Sequence, residues 1–151
     1  MKKAVMSLLL VVFMVLCAIW IAQATPNDTR VIFSDPIFLN NAVEAKTAYI
    51  KVTPETEHGK QLELALIDAL AIRGVAAAEL AAATWTIYIF APEVVTKTMP
   101  GKWFVNTVTE HNLKLTLMIT EHGKEQRTII NVTGRDTLDM ASVAEAIAGL
   151  F

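Results

Sequence analysis

Cysteine is almost missing from this chain: Cys17 is the single one in 151 residues, and it lies inside an apolar run. No internal disulfide can form, and no thiolate metal site can be assembled. Glycine is scarce too; none of the six stands in a G-x-G or P-loop setting, so the glycine-rich phosphate cradles are excluded. Beyond the first segment the only serines are Ser34 and Ser142, and no G-x-S-x-G occurs, which leaves no activated nucleophile in view. A strong charge of one sign is absent as well. Without Lys2 and Lys3, 11 basic residues face 15 acidic ones, a net of −4. That balance gives no electrostatic footprint for nucleic acid and no polybasic patch for anionic lipid. The expectation is a non-enzyme without a cofactor and without a nucleic-acid partner.

What the chain does have is hydrophobicity, 54% of its residues, with the excess gathered at the start. Met1-Lys2-Lys3 is a short basic opening, Ala4 to Ala22 is an uncharged run of 19 residues, and Ala22-Gln23-Ala24 is an A-x-A cleavage pattern. Two readings compete. Residues 1–24 are a secretory signal removed after Ala24, or residues 4–22 are an uncleaved membrane anchor, since a span needs roughly 20 apolar residues. Either way Lys2 and Lys3 hold the start in the cytoplasm, and residues 25–151 form one domain in the bacterial periplasm or tethered facing it. Cys17 reads as an ordinary apolar cysteine, because Leu16 stands where a lipoprotein signal has a small residue.

The spacing of apolar residues predicts an α+β domain. Thr47–Val52 reads as a strand with Ala48, Ile50 and Val52 on one face, and Thr84–Phe90 as another with Trp85, Ile87 and Ile89 opposite Thr86, Tyr88 and Phe90. Between them Lys60–Arg73 carries Leu62, Leu66 and Ala69, flanked by Ile67 and Leu70, at helical spacing, and Gly74 follows as a left-handed cap. Thr53 as cap with Pro54 at the first helical position offers an earlier start for that helix, whereas Gly59 argues for a break. Val31-Ile32-Phe33 and Ile37-Phe38-Leu39, split by Ser34-Asp35-Pro36, read as an edge strand or arm. Val75–Ala83 reads as a short strand and a helical turn, and Ala91–Gly101, with two prolines, as a loop. Strands are expected at Lys102–Val108 and over Leu113–Thr120. A His122-Gly123-Lys124 turn leads to a hairpin partner over Gln126–Thr133. Asp136 or Thr137 caps a last helix with Met140, Val143, Ala144 and Ile147 on one face. The predicted fold is an antiparallel or mixed sheet with two helices on one face.

Two features bear on function. Thr56-Glu57-His58-Gly59-Lys60 recurs as Thr120-Glu121-His122-Gly123-Lys124, and Thr109-Glu110-His111 repeats its first half. Three such histidines would make a metal site only if their loops converged, and their spacing fits no helical ligand pattern; polar turn chemistry is the simpler account, and no metal is expected. The aromatics point elsewhere. Tyr49, Tyr88 and Phe90 alternate off the apolar strand faces, and Trp103 and Phe104, being adjacent, point to opposite sides of any strand that holds them. Either a further helix covers that second face, or these five form an interaction surface for a partner.

The run Ile37-Phe38-Leu39, Tyr49-Ile50-Lys51-Val52-Thr53, Leu62 to Leu70, Arg73-Gly74-Val75 and Ala83-Thr84-Trp85-Thr86-Ile87, with the tail Ala141–Phe151, resembles the TraT complement-resistance and surface-exclusion lipoproteins. More broadly it is similar to the LptE-like envelope lipoproteins. The chain differs from TraT in lacking its lipid-modified cysteine after the signal. It also has only the loop Ala91–Gly101 where TraT has a long Gly/Ala-rich insertion. The resemblance implies an envelope domain that assembles or plugs larger machines, with other envelope proteins or its own subunits as partners and the membrane reached through residues 4–22 if these are uncleaved. The alternative is a periplasmic module holding a small apolar or lipidic ligand between sheet and helices.

Overall fold

The computed structural model describes residues 29–40, 46–91, 94–100 and 108–151. The signal or anchor segment, and the strand expected at Lys102–Val108 with Trp103 and Phe104, lie outside the described residues, save that Val108 opens a strand.

The strand–helix–strand unit forms where its periodicity places it. Strands β2 (Thr47–Thr53) and β4 (Trp85–Phe90) pair in parallel, Ala48 opposite Trp85 through Thr53 opposite Phe90. Helix α1 (Glu57–Ile72) links them and buries Leu62, Leu66, Ala69 and Leu70 on the sheet. Each buried Leu or Ile is worth roughly 1.5–3 kcal/mol. The helix ends as its glycine demands: Gly74 has φ +78, Val75 N–H donates to Leu70 O at 2.9 Å and Gly74 N–H to Ala71 O at 3.0 Å, the Schellman pattern. Its start differs from expectation. Thr56 is the cap, its Oγ1 accepting from Gly59 N–H at 3.1 Å, and Gly59 sits buried inside the first turn rather than breaking it. The reason is close packing, since a Cβ there would meet the Pro54 carbonyl oxygen at 2.8 Å. From the same helix, Glu63 Oε2 accepts the N–H of Val52 at 3.2 Å.

Between α1 and β4, strand β3 (Ala76–Ala77) pairs in parallel with the start of β2, and a 3-10 turn (Leu80–Ala82) follows. Two long strands, β6 (Val108–Glu121) and β7 (Lys124–Arg135), form the hairpin. Its two turn residues, His122 (φ 47) and Gly123 (φ 77), are both left-handed, as the twist of a two-residue hairpin requires. One correction concerns Ala91–Gly101: the expected loop contains strand β5 (Val95–Met99), paired antiparallel with the first half of β6. β4 pairs with the second half of β6. All five residues of β5 are exposed, so no inward/outward alternation marks it in the sequence.

Strand β1 (Arg30–Phe33) closes the other edge against β7, giving a mixed seven-stranded sheet ordered β1-β7-β6-β4-β2-β3 with β5 beside β6. The arm after it runs on along β7 and reaches the end of β6. Asp35 N–H donates to Thr128 Oγ1, Phe38 N–H to Gln126 Oε1, and Asn40 N–H to Glu121 Oε2. Helix α2 (Met140–Ala148) is capped by Asp139, not by Asp136 or Thr137. Asp139 Oδ1 accepts from Ala141 N–H and Oδ2 from Ser142 Oγ at 2.6 Å, while Asp136 is spent on a left-handed turn at φ 65. Helix α2 packs Val143, Ala144 and Ile147 beside α1 on the same side of the sheet. Trp85, fully buried, anchors that side: Phe151 meets it edge-on at 5.2 Å, and its Nε1–H donates to Glu121 Oε1 at 2.7 Å.

Candidate functional site

Because both helices lie on one side, strand alternation sends every second residue to the other, which no described element covers. Tyr49, Tyr88 and Phe90 land there together, brought from two strands by the parallel register. Tyr49 and Tyr88 form an edge-to-face pair with ring centroids 6.2 Å apart. Across β4 and β6, Tyr88 faces Met118 and Phe90 faces Thr116, whose other neighbour is Ile129. The result is an aromatic and aliphatic stripe of half-buried side chains ending at Phe90, 45% exposed. Beside Phe90 a hollow of about 380 Å³ is lined by Pro54, Lys114 and Thr116. Trp103 and Phe104, the remaining members of the expected surface, fall outside the described residues.

The charges on this face were hidden in the sequence. By alternation and register it carries the six cations Arg30, Lys51, Lys97, Lys114, Arg127 and Arg135, against the two acids Glu110 and Glu125, a net of +4. Glu55 reaches Lys51 from the following turn at 2.8 Å, so counting it leaves +3. That hydrogen bond holds the Lys51 ammonium above its ordinary pKa and the Glu55 carboxyl below its own. Both groups are exposed, so the pair adds little stability.

No family profile matches the sequence, and neither does any curated protein. Among solved structures the chain is similar to the PelC dodecamer of Paraburkholderia phytofirmans, as a single-substitution variant in a C2 crystal form and as PelC in a P6 form. Identity is 18% with a TM-score of 0.48 for the C2 form and 19% with 0.47 for the P6 form, each covering 81% of this chain and 94% of that one. A PDZ domain protein from Parabacteroides distasonis overlaps at 12% identity and a TM-score of 0.34, over 82% of this chain and 36% of that one. Overlaps at this level assign neither a family nor an activity.

The three Thr-Glu-His sites part company. His122 occupies the hairpin turn, whereas His58 and His111 line one cavity of about 350 Å³ where α1, β5, β6 and α2 converge. Leu62, Leu113 and Met140 make its buried floor, and Thr56 and Thr96 stand with the histidines among its polar lining. His111 is held at both nitrogens. Asp136 O can only accept, so Nε2 donates to it at 3.1 Å, while Nδ1 pairs with the Thr96 hydroxyl at 3.2 Å, as acceptor in the neutral ring. Thr96 and His111 are direct cross-strand neighbours, which accounts for the contact without any catalytic task. Among the described residues no three His, Cys, Asp or Glu side chains gather closely enough to hold a metal ion, and no helix is long and apolar enough to cross a membrane.

Proposed function

We propose that this chain is a non-enzymatic subunit of a bacterial cell-envelope assembly, and that it holds its neighbour on the uncovered sheet face. One observation carries the reading: Tyr49, Tyr88 and Phe90 converge with Met118 and Ile129 on a face that no described element covers. Large amphipathic rings on a rigid sheet, rimmed by cations, are the composition of protein interfaces, where Tyr, Phe, Met and Arg are enriched. The hollow beside Phe90 suits a partner's anchoring side chain. The export-type opening of the sequence and the resemblance to TraT and LptE-like lipoproteins support the envelope setting.

The test is the size of the native complex from the membrane fraction, for the parent and for Tyr88→Asp. Expected is a large species that collapses with Tyr88→Asp while circular dichroism stays unchanged. A parent that migrates at the size of one chain in its native fraction refutes the reading.

A second reading, a module for a small apolar or lipidic ligand, is supported by the cavity floored by Leu62, Leu113 and Met140. It requires lipid detectable by mass spectrometry in the purified protein, displaced by Leu113→Trp and retained by Tyr88→Asp.

A further inference from the structure

We infer that the occupant of the open face is a second copy of this chain, docked head to tail, with the basic sheet face of one copy on the acidic helix side of the next. The inference rests on the docking reading above and names its partner.

Charge carries it. The described residues contain ten Lys and Arg against twelve Asp and Glu, a net of −2. With +4 on the sheet face, everything off that face sums to −6; of this the two helices and the cap Arg73 carry −2 (Glu57, Glu63, Asp68 and Glu145 against Lys60 and Arg73) and the turns and edges the rest, and moving Glu55 to the face gives +3 and −5. Two copies meeting sheet to sheet would press like charge on like charge. Two copies meeting sheet to helices bring opposite potentials together, which speeds encounter and fixes orientation.

The exposed apolar side chains are divided in the same way. Ile32, Phe90, Val95 and Met99 belong to the sheet face, and Phe38, Leu64, Ile72 and Leu80 lie off it. On α1, Leu64, Asp68 and Ile72 recur at intervals of four on the solvent stripe, so two exposed aliphatic groups flank a carboxylate. Phe90 and Lys114 at the hollow of the sheet face present the reciprocal pair, a ring and a cation. A lipid surface would use only the basic half of this molecule. The acidic, apolar half has a use in a contact that joins two different patches of the same chain. Area suffices as well. The 48 residues of β1, β2, β4, β5, β6 and β7, at about 3.4 Å of rise and 4.8 Å of strand spacing each, cover roughly 780 Å², close to the ~800 Å² per partner of a stable interface.

The experiment is light scattering on the full chain in detergent, at low salt and at about 1 M salt, where the screening length falls to about 3 Å. Expected is a mass of several copies that drops as salt rises. Lys114→Glu and Asp68→Asn, both at exposed positions, each weaken association at least about tenfold; neutralising Asp68 rather than reversing it keeps the two altered faces from attracting one another. Mixed together, they form a species of two copies and nothing larger, because the intact sheet face of one meets the intact helix side of the other. Phe90→Ser and Ile72→Ser serve as an uncharged second pair with the same expectation. A parent that stays single at low salt overturns the inference, as does a mixture that fails to pair. Binding of that single chain to phosphatidylglycerol vesicles, abolished by Lys114→Glu, would assign the face to lipid instead. If the parent stays single while Tyr88→Asp still strips it from its native complex, the self-partner falls and the docking reading stands. If neither measurement moves, both fall.

Discussion

Replacing Gly59 by alanine sets two effects against each other. In a helix, alanine is favoured over glycine by about 1 kcal/mol, so propensity alone makes the substitution stabilising. The surroundings of Gly59 say the opposite. A methyl carbon there would stand 2.8 Å from Pro54 O, 3.2 Å from Thr56 Oγ1 and 3.3 Å from Val52 Cγ1. The first of these is backbone, and the second already holds the Gly59 N–H as the helix cap, so neither yields without moving the exit of β2 or loosening the cap. Forcing a methyl into such a site costs about 1–3 kcal/mol. After the gain in propensity, a net loss of about 1 kcal/mol remains, equivalent to about 3–5 °C in Tm for a domain of this size. Urea unfolding followed by circular dichroism and tryptophan fluorescence reads it directly. Ala71→Gly, on the exposed stripe of the same helix, calibrates the propensity term and should lose about 1 kcal/mol. An unfolding midpoint for Gly59→Ala above that of the parent would refute the packing account.

Three further outcomes follow from the core and the surface. Leu66 is fully buried under α1, so Leu66→Ala should cost about 2–5 kcal/mol by urea unfolding, and Leu66→Asp should leave no cooperative transition. Trp85→Phe removes the donor to Glu121 and leaves a gap beside Phe151; a loss of about 1–3 kcal/mol is expected by the same assay. Glu55 has a lowered folded-state pKa, so the contribution of its pair with Lys51 is present above the unfolded carboxyl's pKa and fades as pH falls through the lowered one. Carboxyl NMR should therefore find Glu55 titrating below the ordinary glutamate range, and moving up toward it in Lys51→Met or about 1 M salt; no movement would break the assignment.

Much of the fold was legible because the relevant signal is local. Period two in Thr47–Thr53 and Trp85–Phe90 fixes which side chains face the helices, and it sorted Tyr49, Tyr88 and Phe90 onto the other side. The positive φ of Gly74, His122 and Gly123 occurs where turn chemistry put it. The failures were local as well. β5 is flanked by Pro92 and Pro100 and wholly exposed, so nothing in Val95–Met99 alternates, and only its pairing with β6 makes it a strand. The cap of α2 was misplaced because Asp136, Thr137 and Asp139 all have capping side chains, and the choice depends on Asp136 closing the turn against Thr109. At the candidate site the aromatic half was readable and the electrostatic half was not. Its six cations come from five strands spread between Arg30 and Arg135, and a chain net of −2 conceals a face of opposite sign. The convergence of His58 with His111 likewise needs the sheet to bring β6 to the start of α1.

The bond from Val52 N–H to Glu63 has a bearing on solubility. Beyond its short pairing with β3, strand β2 forms an outer margin of the sheet among the described residues, and the amides of such a margin are the sort of template on which misfolded chains accrete. A carboxylate posted there occupies one of those amides and sets negative charge in the path of any incoming backbone carbonyl. Lengthening of the ribbon into a fibre from that margin is discouraged by a single side chain, supplied by the same helix that closes the core.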